Sequence, residues 1–168
     1  ISLGCGSPTA IAALKPGQTV LDLGSGGGID CFLAARQVGE TGHVIGLDMT
    51  PQMIDLARAN AKKLGVRNAE FRYGHIEDIP LPDASVNVII SNCVINLSDD
   101  KDAVFRETFR VLREEGTLNV SDIVTYGSLP PALSRQLSAW AGCISGALDE
   151  DVYIRKIQAA GFSSVEVL

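Results

Sequence analysis

Residues 20–28 read VLDLGSGGG, and this stretch decides the fold class. A β-rich run leads into glycines at alternate positions, Gly24, Gly26 and Gly28, and a helical pattern begins at the next residue. Glycines at this spacing permit a tight turn that brings the backbone close to a nucleoside-bearing ligand at the carboxyl end of a strand. The stretch therefore predicts an α/β protein with a ligand site at one edge of its sheet.

The residues around this turn favour one class of ligand. A dinucleotide-binding turn needs a glycine where this chain has Ile29, because that glycine lets the helix pack closely on the strand. Asp22 can accept hydrogen bonds, through the loop or through water, from a ligand ammonium group that a pyrophosphate cofactor lacks. Asp48 ends the next strand and can accept from ribose hydroxyls, a role that dinucleotide enzymes also use. The pattern favours S-adenosylmethionine over a nicotinamide cofactor.

Strand and helix patterns alternate along the rest of the chain. Strands are predicted at 19–23, 42–48, 69–73, 85–91, 116–124 and 163–168, and helices at 29–38, 51–64, 102–113, 133–148 and 151–160. Thr50 and Pro51 form a helix start, with Thr50 as the cap, and Gly65 is a typical helix end. This order predicts a three-layer, Rossmann-like and mostly parallel sheet. We expect one domain over 1–168, with an N-terminal arm (1–18), a cofactor-binding core (19–126) and substrate-cover helices with the start of the last strands (127–168).

Composition excludes several functions. The 168 residues carry 14 Lys and Arg against 20 Asp and Glu, a net charge of −6, with no basic cluster, which argues against nucleic acid as a partner. No apolar run of about 18 residues is present, so a membrane partner is not expected. The chain begins at Ile1 rather than Met and ends on a lone strand, so we expect a fragment that is truncated at both ends.

The four cysteines are widely spaced and form no CxxC pair, which favours reduced thiols in a cytoplasmic protein over a zinc site or a disulfide scaffold. Cys93 follows the fourth strand, where open α/β proteins place substrates, and is a candidate nucleophile or soft-ion ligand. Cys143 lies among small residues in a segment expected to cover the substrate. Cys5 lies between glycines and is expected on a flexible arm, whereas Cys31 is expected to pack in the core.

Four stretches resemble the arsenite S-adenosylmethionine methyltransferases: GCGSP (4–8), LDLGSGGGIDCF (21–32), SNCVINLS (91–98) and WAGCISGAL (140–148). The resemblance implies that Cys5, Cys93 and Cys143 are arsenic-binding thiolates. The broader resemblance to class I methyltransferases, carried by D-x-G-x-G-x-G and Asp48, places Ile76 and Glu77 beside the adenine and Met49 on its other side. The cofactor-binding residues that it implies are Asp22, Gly24, Ser25, Gly26, Gly28, Asp48, Met49, Ile76, Glu77 and Asn92.

The resulting hypothesis is methyl transfer from S-adenosylmethionine to trivalent arsenic, with arsenite or its thiol conjugates as substrate and a thiol reductant as partner. No resident metal is expected, and His75 is interpreted as a loop histidine rather than a base. Two alternatives stay open. One is a class I methyltransferase acting on another small molecule, and the other is a non-catalytic, thiol-based metalloid-binding module. A dehydrogenase ranks lower because of Ile29.

Overall fold

The five strands pair side by side in a single parallel sheet, which confirms the predicted α/β fold. A computed structural model describes residues 11, 13–127 and 146–167. Within them, the strands are β1 (Thr19–Leu23), β2 (His43–Asp48), β3 (Ala69–Tyr73), β4 (Val86–Asn92) and β5 (Leu112–Ser121), and the helices are α1 (Ile29–Val38), α2 (Pro51–Leu64), α3 (Lys101–Val111) and α4 (Glu150–Ala159). A short 3-10 helix spans Ile95–Leu97. The strand order is β3-β2-β1-β4-β5.

The central strands β1, β2 and β4 are mostly apolar on both faces because helices cover both sides of the sheet. Neighbouring residues of β1 show this, since Val20 packs toward α1 and α2 while Leu21 packs toward the opposite face. Both side chains are fully buried. Because all five strands run parallel, the loops that follow β1, β2, β3 and β4 all lie at the same, carboxyl edge of the sheet. This arrangement gathers the glycine turn and Cys93 at the same edge.

The junction between α3 and β5 differs from the prediction. The predicted helix over 102–113 ends at Val111, and the predicted strand over 116–124 is instead Leu112–Ser121. Leu112 is already extended, with φ −70° and ψ 138°. The strand pairing then shifts between Val86 and Val88, and Glu115 adopts a positive φ of 62°. A bulge therefore absorbs the polar residues that separated the two patterns in the sequence.

The boundaries of α2 confirm one prediction and correct another. Gly65 ends the helix in the left-handed conformation, as its sequence position predicts. Thr50 occupies the cap position, but its side chain makes no capping hydrogen bond. The backbone N–H of Thr50 is instead bound by the Asp48 carboxylate at 2.8 Å.

The C-terminal part departs further from the prediction. The expected strand over 163–168 is wrong for the residues that can be described, because 163–167 contain no strand. Val167, one of the two apolar residues within 163–167, is 61 % exposed, so its side chain does not pack on the sheet. Most of the predicted helix over 133–148 lies outside the described residues. In the part of the chain that the structure describes, no helix is both long and apolar enough to cross a membrane.

Candidate active site

The glycine turn connects β1 to α1 at the centre of the carboxyl edge. Gly24, Gly26 and Gly28 have φ values of 68°, 51° and 90°, a region that favours glycine. The turn is closed by a hydrogen bond from the Gly28 N–H to the Ser25 carbonyl at 2.9 Å, and Ser25 N–H binds the Leu47 carbonyl of β2 at 3.0 Å. The predicted turn is therefore present and is fastened to the neighbouring strand.

Asp48 shapes this turn from the end of β2. One oxygen of its carboxylate accepts from the Gly26 N–H at 2.9 Å, and the other accepts from the Thr50 N–H at 2.8 Å. A carboxylate oxygen has two lone pairs, so each oxygen keeps the capacity to accept from a ligand hydroxyl. Asp48 is half-buried at the edge, which suits that role.

Asp22 lies deeper than its predicted role suggests. Its side chain is 2 % exposed, and the Cys31 thiol donates to its carboxyl over a sulfur–oxygen distance of 3.2 Å. Burial raises the pKa of Asp22 to about 8, the hydrogen bond from Cys31 opposes the rise, and the charges of Asp30 and Asp48 add to it. Cys31 is fully buried, which confirms its prediction as a core residue, and burial together with Asp22 raises the pKa of its thiol.

The residues on each side of Cys93 contact the glycine turn and its helix. Before it, the Asn92 side-chain amide donates to the Asp30 carboxylate at 2.7 Å. After it, the Val94 side chain packs so closely on Gly24 that a methyl group there would lie 2.6 Å from Val94. Cys93 itself is half-buried, has a positive φ of 55°, and donates its backbone N–H to the Ser121 carbonyl at 2.8 Å.

The loop that follows β3 completes this edge. The Ser98 hydroxyl donates a short hydrogen bond to the Glu77 carboxylate, which ties this loop to the one that carries Cys93. Ile76 is partly buried against the core, and Met49 is 57 % exposed at the end of β2. His75 is exposed, which agrees with its interpretation as a loop histidine.

An ion-pair network on α3, which the sequence does not predict, holds the loop that follows β3. Arg110 of α3 donates to the carbonyls of Ile79 at 2.9 Å and Leu81 at 2.8 Å, while Glu107 accepts from the Ile79 N–H at 2.8 Å. Arg110 also pairs with Glu107 at 2.6 Å. The sequence signal was weak, because Glu107 and Arg110 are three residues apart and look like an ordinary surface pair on a helix.

Most predicted site residues therefore come together. The structure places Asp22, Gly24, Ser25, Gly26, Gly28, Asp48, Met49, Ile76, Glu77, Asn92 and Cys93 on the strand ends and loops of the carboxyl edge. Cys5 and Cys143 lie outside the described residues. Asp30, which the sequence suggested only as a favourable charge at a helix start, is an additional residue of this edge through Asn92. Among the described residues, no group of His, Cys, Asp and Glu side chains could hold a metal ion.

Comparisons with known proteins agree with this geometry. Residues 14–161 match the model of a methyltransferase domain family. An arsenite methyltransferase of Halobacterium salinarum is 50 % identical over 167 residues, 99 % of this chain and 43 % of that protein. The crystal structure of an arsenic(III) S-adenosylmethionine methyltransferase from Chlamydomonas reinhardtii superposes with a TM-score of 0.85 at 38 % identity, covering 97 % of this chain and 57 % of that one.

A second kind of relative matches a shorter stretch. The ubiquinone/menaquinone biosynthesis C-methyltransferase UbiE of Vibrio vulnificus is 41 % identical over 108 residues, 63 % of this chain and 41 % of that protein. The chain thus spans less than half the length of the curated relatives compared here. The resemblance to arsenite methyltransferases expected from the sequence is confirmed, and with the family model matching most of its residues, the chain belongs to the methyltransferase domain family.

Proposed function

We propose that this chain carries out S-adenosylmethionine-dependent methyl transfer to trivalent arsenic held by the thiolates of Cys5, Cys93 and Cys143. The observation that carries the proposal is that the residues on both sides of Cys93 are attached to the glycine turn and to the helix that follows it, through Val94 to Gly24 and through Asn92 to Asp30. A thiol at this position adjoins the predicted cofactor turn. The similarity to arsenite methyltransferases supports the assignment of the substrate.

The residues of the edge fit S-adenosylmethionine. A methyl group added at Gly26 would meet no atom within 4 Å, so the turn borders open space. Asp48 offers acceptors for ribose hydroxyls, and exposed Met49 offers an apolar surface for an adenine ring. The Asp30 carboxylate, in the first turn of the helix that follows the glycine turn, suits an ammonium group. When bound, S-adenosylmethionine supplies an electrophilic methyl group on a sulfonium.

The thiols suit the substrate chemically. Trivalent arsenic is a soft centre that prefers soft sulfur ligands, and three thiolates fill its pyramidal coordination while leaving its lone pair available. The nucleophile is then a lone pair rather than an N–H or O–H group, so no general base is needed at arsenic. Rate acceleration on this account comes from positioning and from exclusion of water. The role of the chain is to hold the arsenic and to orient it toward the glycine turn.

The proposal extends to partners and location. A thiol reductant is proposed as the partner that keeps the cysteines available, since only the thiolate form binds arsenic. Cytoplasmic location is proposed from the same need for reduced cysteines. The division into an arm (1–18), a cofactor-binding core (19–126) and a cover (127–168) belongs to the proposal, with two of the three arsenic-binding thiols supplied from outside the core.

The main competing function is methyl transfer to another small molecule. The match to a C-methyltransferase over 108 residues supports this alternative, because Cys5 and Cys143 lie further apart in the sequence than the stretch that this match covers. A metalloid-binding module without catalysis is the second alternative, and it has no need for a glycine turn bordering open space. The two alternatives differ from the main proposal in what they bind, so binding separates them.

The test is isothermal titration of S-adenosylmethionine, and separately of arsenite with and without S-adenosylmethionine, into the reduced full chain, followed by detection of methylated arsenic by mass spectrometry. We expect arsenite binding and methylated product in the unaltered chain, and loss of both in Cys93→Ser. Cys31→Ser is the matched control, because that thiol lies in the core and serine keeps a donor for Asp22; it should retain arsenite binding.

Two outcomes would contradict the proposal. Cofactor binding without arsenite binding would favour another small-molecule substrate. Arsenite binding without cofactor binding or methylated product would favour the binding module.

A further inference from the structure

The residue that follows β5, Asp122, is an acidic side chain that the proposed chemistry does not use. Its carboxylate accepts from the Tyr153 hydroxyl of α4 at 2.9 Å. Tyr153 is 5 % exposed, and its ring packs edge-on against Phe105 of α3 with 5.3 Å between ring centroids. Asp122 is thereby tied, through Tyr153, to α4 at the point where this helix packs against α3.

The backbone on each side of Asp122 holds the loop that carries Cys93. The Ser121 carbonyl accepts from the Cys93 N–H at 2.8 Å. The Ile123 carbonyl accepts from the Asn96 side-chain amide at 2.7 Å, and Asn96 is 2 % exposed. These two hydrogen bonds between the loop and the end of β5 therefore flank Asp122, which accepts from the Tyr153 hydroxyl.

Further contacts hold the far end of this loop. The Lys101 ammonium donates to the carbonyls of Ser98 at 2.8 Å and Asn96 at 3.3 Å. Gly146, on the segment that leads into α4, approaches so closely that a methyl group there would lie 1.8 Å from the Asn96 carbonyl oxygen. Residues 93–98 thus contact α3, the end of β5 and the segment that leads into α4.

We infer that Asp122 is a positioning residue. Anchored by Tyr153, it holds the end of β5 in place, and the end of β5 in turn sets the position of the Cys93 thiol at the carboxyl edge. Asp122 touches no reacting atom in this role and acts through the backbone of Ser121 and Ile123. The inference rests on the proposed function only where arsenite binding is the readout, because the presentation of the thiol can be measured without arsenic.

The experiment measures the rate at which iodoacetamide alkylates Cys93 in the native, reduced full chain, by mass spectrometry of the peptide. Tyr153→Phe removes the anchor, Asp122→Ala removes the acceptor, and Asp122→Asn keeps an oxygen that can accept from Tyr153. Tyr126→Phe is the matched control, since Tyr126 is 86 % exposed. Cys31, which is fully buried, is the internal reference, because its alkylation reports unfolding of the whole chain.

We expect Tyr153→Phe and Asp122→Ala to raise the Cys93 rate by about threefold or more while the Cys31 rate stays constant, because loss of one hydrogen bond permits local opening without global unfolding. Asp122→Asn should recover part of the change, and Tyr126→Phe should match the unaltered chain. Arsenite affinity should fall by about tenfold in the first two variants, as loss of one hydrogen bond to a charged group allows.

The outcomes separate this inference from the proposed function. Unchanged Cys93 rates in both Tyr153→Phe and Asp122→Ala would overturn the positioning role, as would equal rises at Cys93 and Cys31, which would show that the pair only stabilises the fold. If Cys93→Ser leaves arsenite binding intact, the proposed function fails, whereas the alkylation rates still decide the positioning role.

Discussion

Replacement of Gly24 by alanine tests the contact between the glycine turn and the Cys93 loop. Gly24 has a φ of 68°, and an added methyl group would lie 2.6, 2.9 and 3.3 Å from three side-chain atoms of Val94. The left-handed backbone costs an alanine about 1–2 kcal/mol, and overpacking of this kind costs about 1–3 kcal/mol more. We therefore expect Gly24→Ala to lower the free energy of unfolding by about 2–5 kcal/mol.

Gly26→Ala is the matched control for the backbone cost. Gly26 also has a positive φ, 51°, but an added methyl group there meets nothing within 4 Å. Its cost should be the backbone part alone, about 1–2 kcal/mol. The difference between the two variants, measured by urea unfolding followed by circular dichroism, isolates the clash with Val94.

A third variant, Val94→Ala in the Gly24→Ala background, tests the identity of the clashing group. Truncating Val94 removes the two methyl carbons that crowd position 24, so the double variant should be more stable than the sum of the single changes implies, by about 1 kcal/mol or more. Equal destabilisation by Gly24→Ala and Gly26→Ala, or strict additivity with Val94→Ala, would refute this account of how the two loops meet.

Three other changes test separate parts of the edge. Between pH 3.8 and about 8, the folded chain keeps a proton on Asp22 that the unfolded chain has released. The contribution of this proton to the free energy of unfolding is therefore complete below the unfolded pKa of 3.8 and is lost as the pH rises toward about 8. In urea titrations across this range, Asp22→Asn should remove the fall in stability with rising pH. Arg110→Lys should lose the forked contacts to the Ile79–Leu81 backbone and cost about 1–2 kcal/mol, whereas Arg106→Lys, exposed on the same helix, should cost nothing measurable in the same assay. Asp48→Asn should lower the affinity for S-adenosylmethionine, measured by calorimetry, because one of the two side-chain oxygens can no longer accept from the turn or from a ribose. Asp55→Asn, at an exposed position on the next helix, should leave the affinity unchanged, and equal affinities in the two variants would remove Asp48 from the site.

Local chemistry explains why much of the fold could be predicted. The turn at Gly24–Gly28 and the helix end at Gly65 depend on positive φ values that few residues other than glycine adopt easily, so their identity fixes their conformation. The central strands are short and mostly apolar, and Cys31 lies on the same helix face as Ala34, Ala35 and Val38, which pack on the sheet. Each of these features is written within a few residues of sequence.

The features that could not be predicted depend on contacts between distant residues. Asn92 meets Asp30 across 62 positions of sequence, and Glu107 meets Ile79 across 28. The depth of Asp22 is likewise set by the helix that covers it rather than by its neighbours in β1. The α3–β5 boundary differs from the prediction for a local reason. A bulge lets the polar residues after Leu112 continue inside the strand, although their pattern predicts a break between helix and strand.

The backbone at Cys93 has a consequence for how this position could be re-engineered. A left-handed φ of 55° is unfavourable for any side chain with a β-carbon, and glycine would relieve it. Cys93→Gly should therefore give a chain that withstands more heat and denaturant while lacking the thiol at the carboxyl edge. A search for thermostable variants that screens folding alone would select against this cysteine, and it would recover a more stable chain that lacks the proposed arsenic ligand.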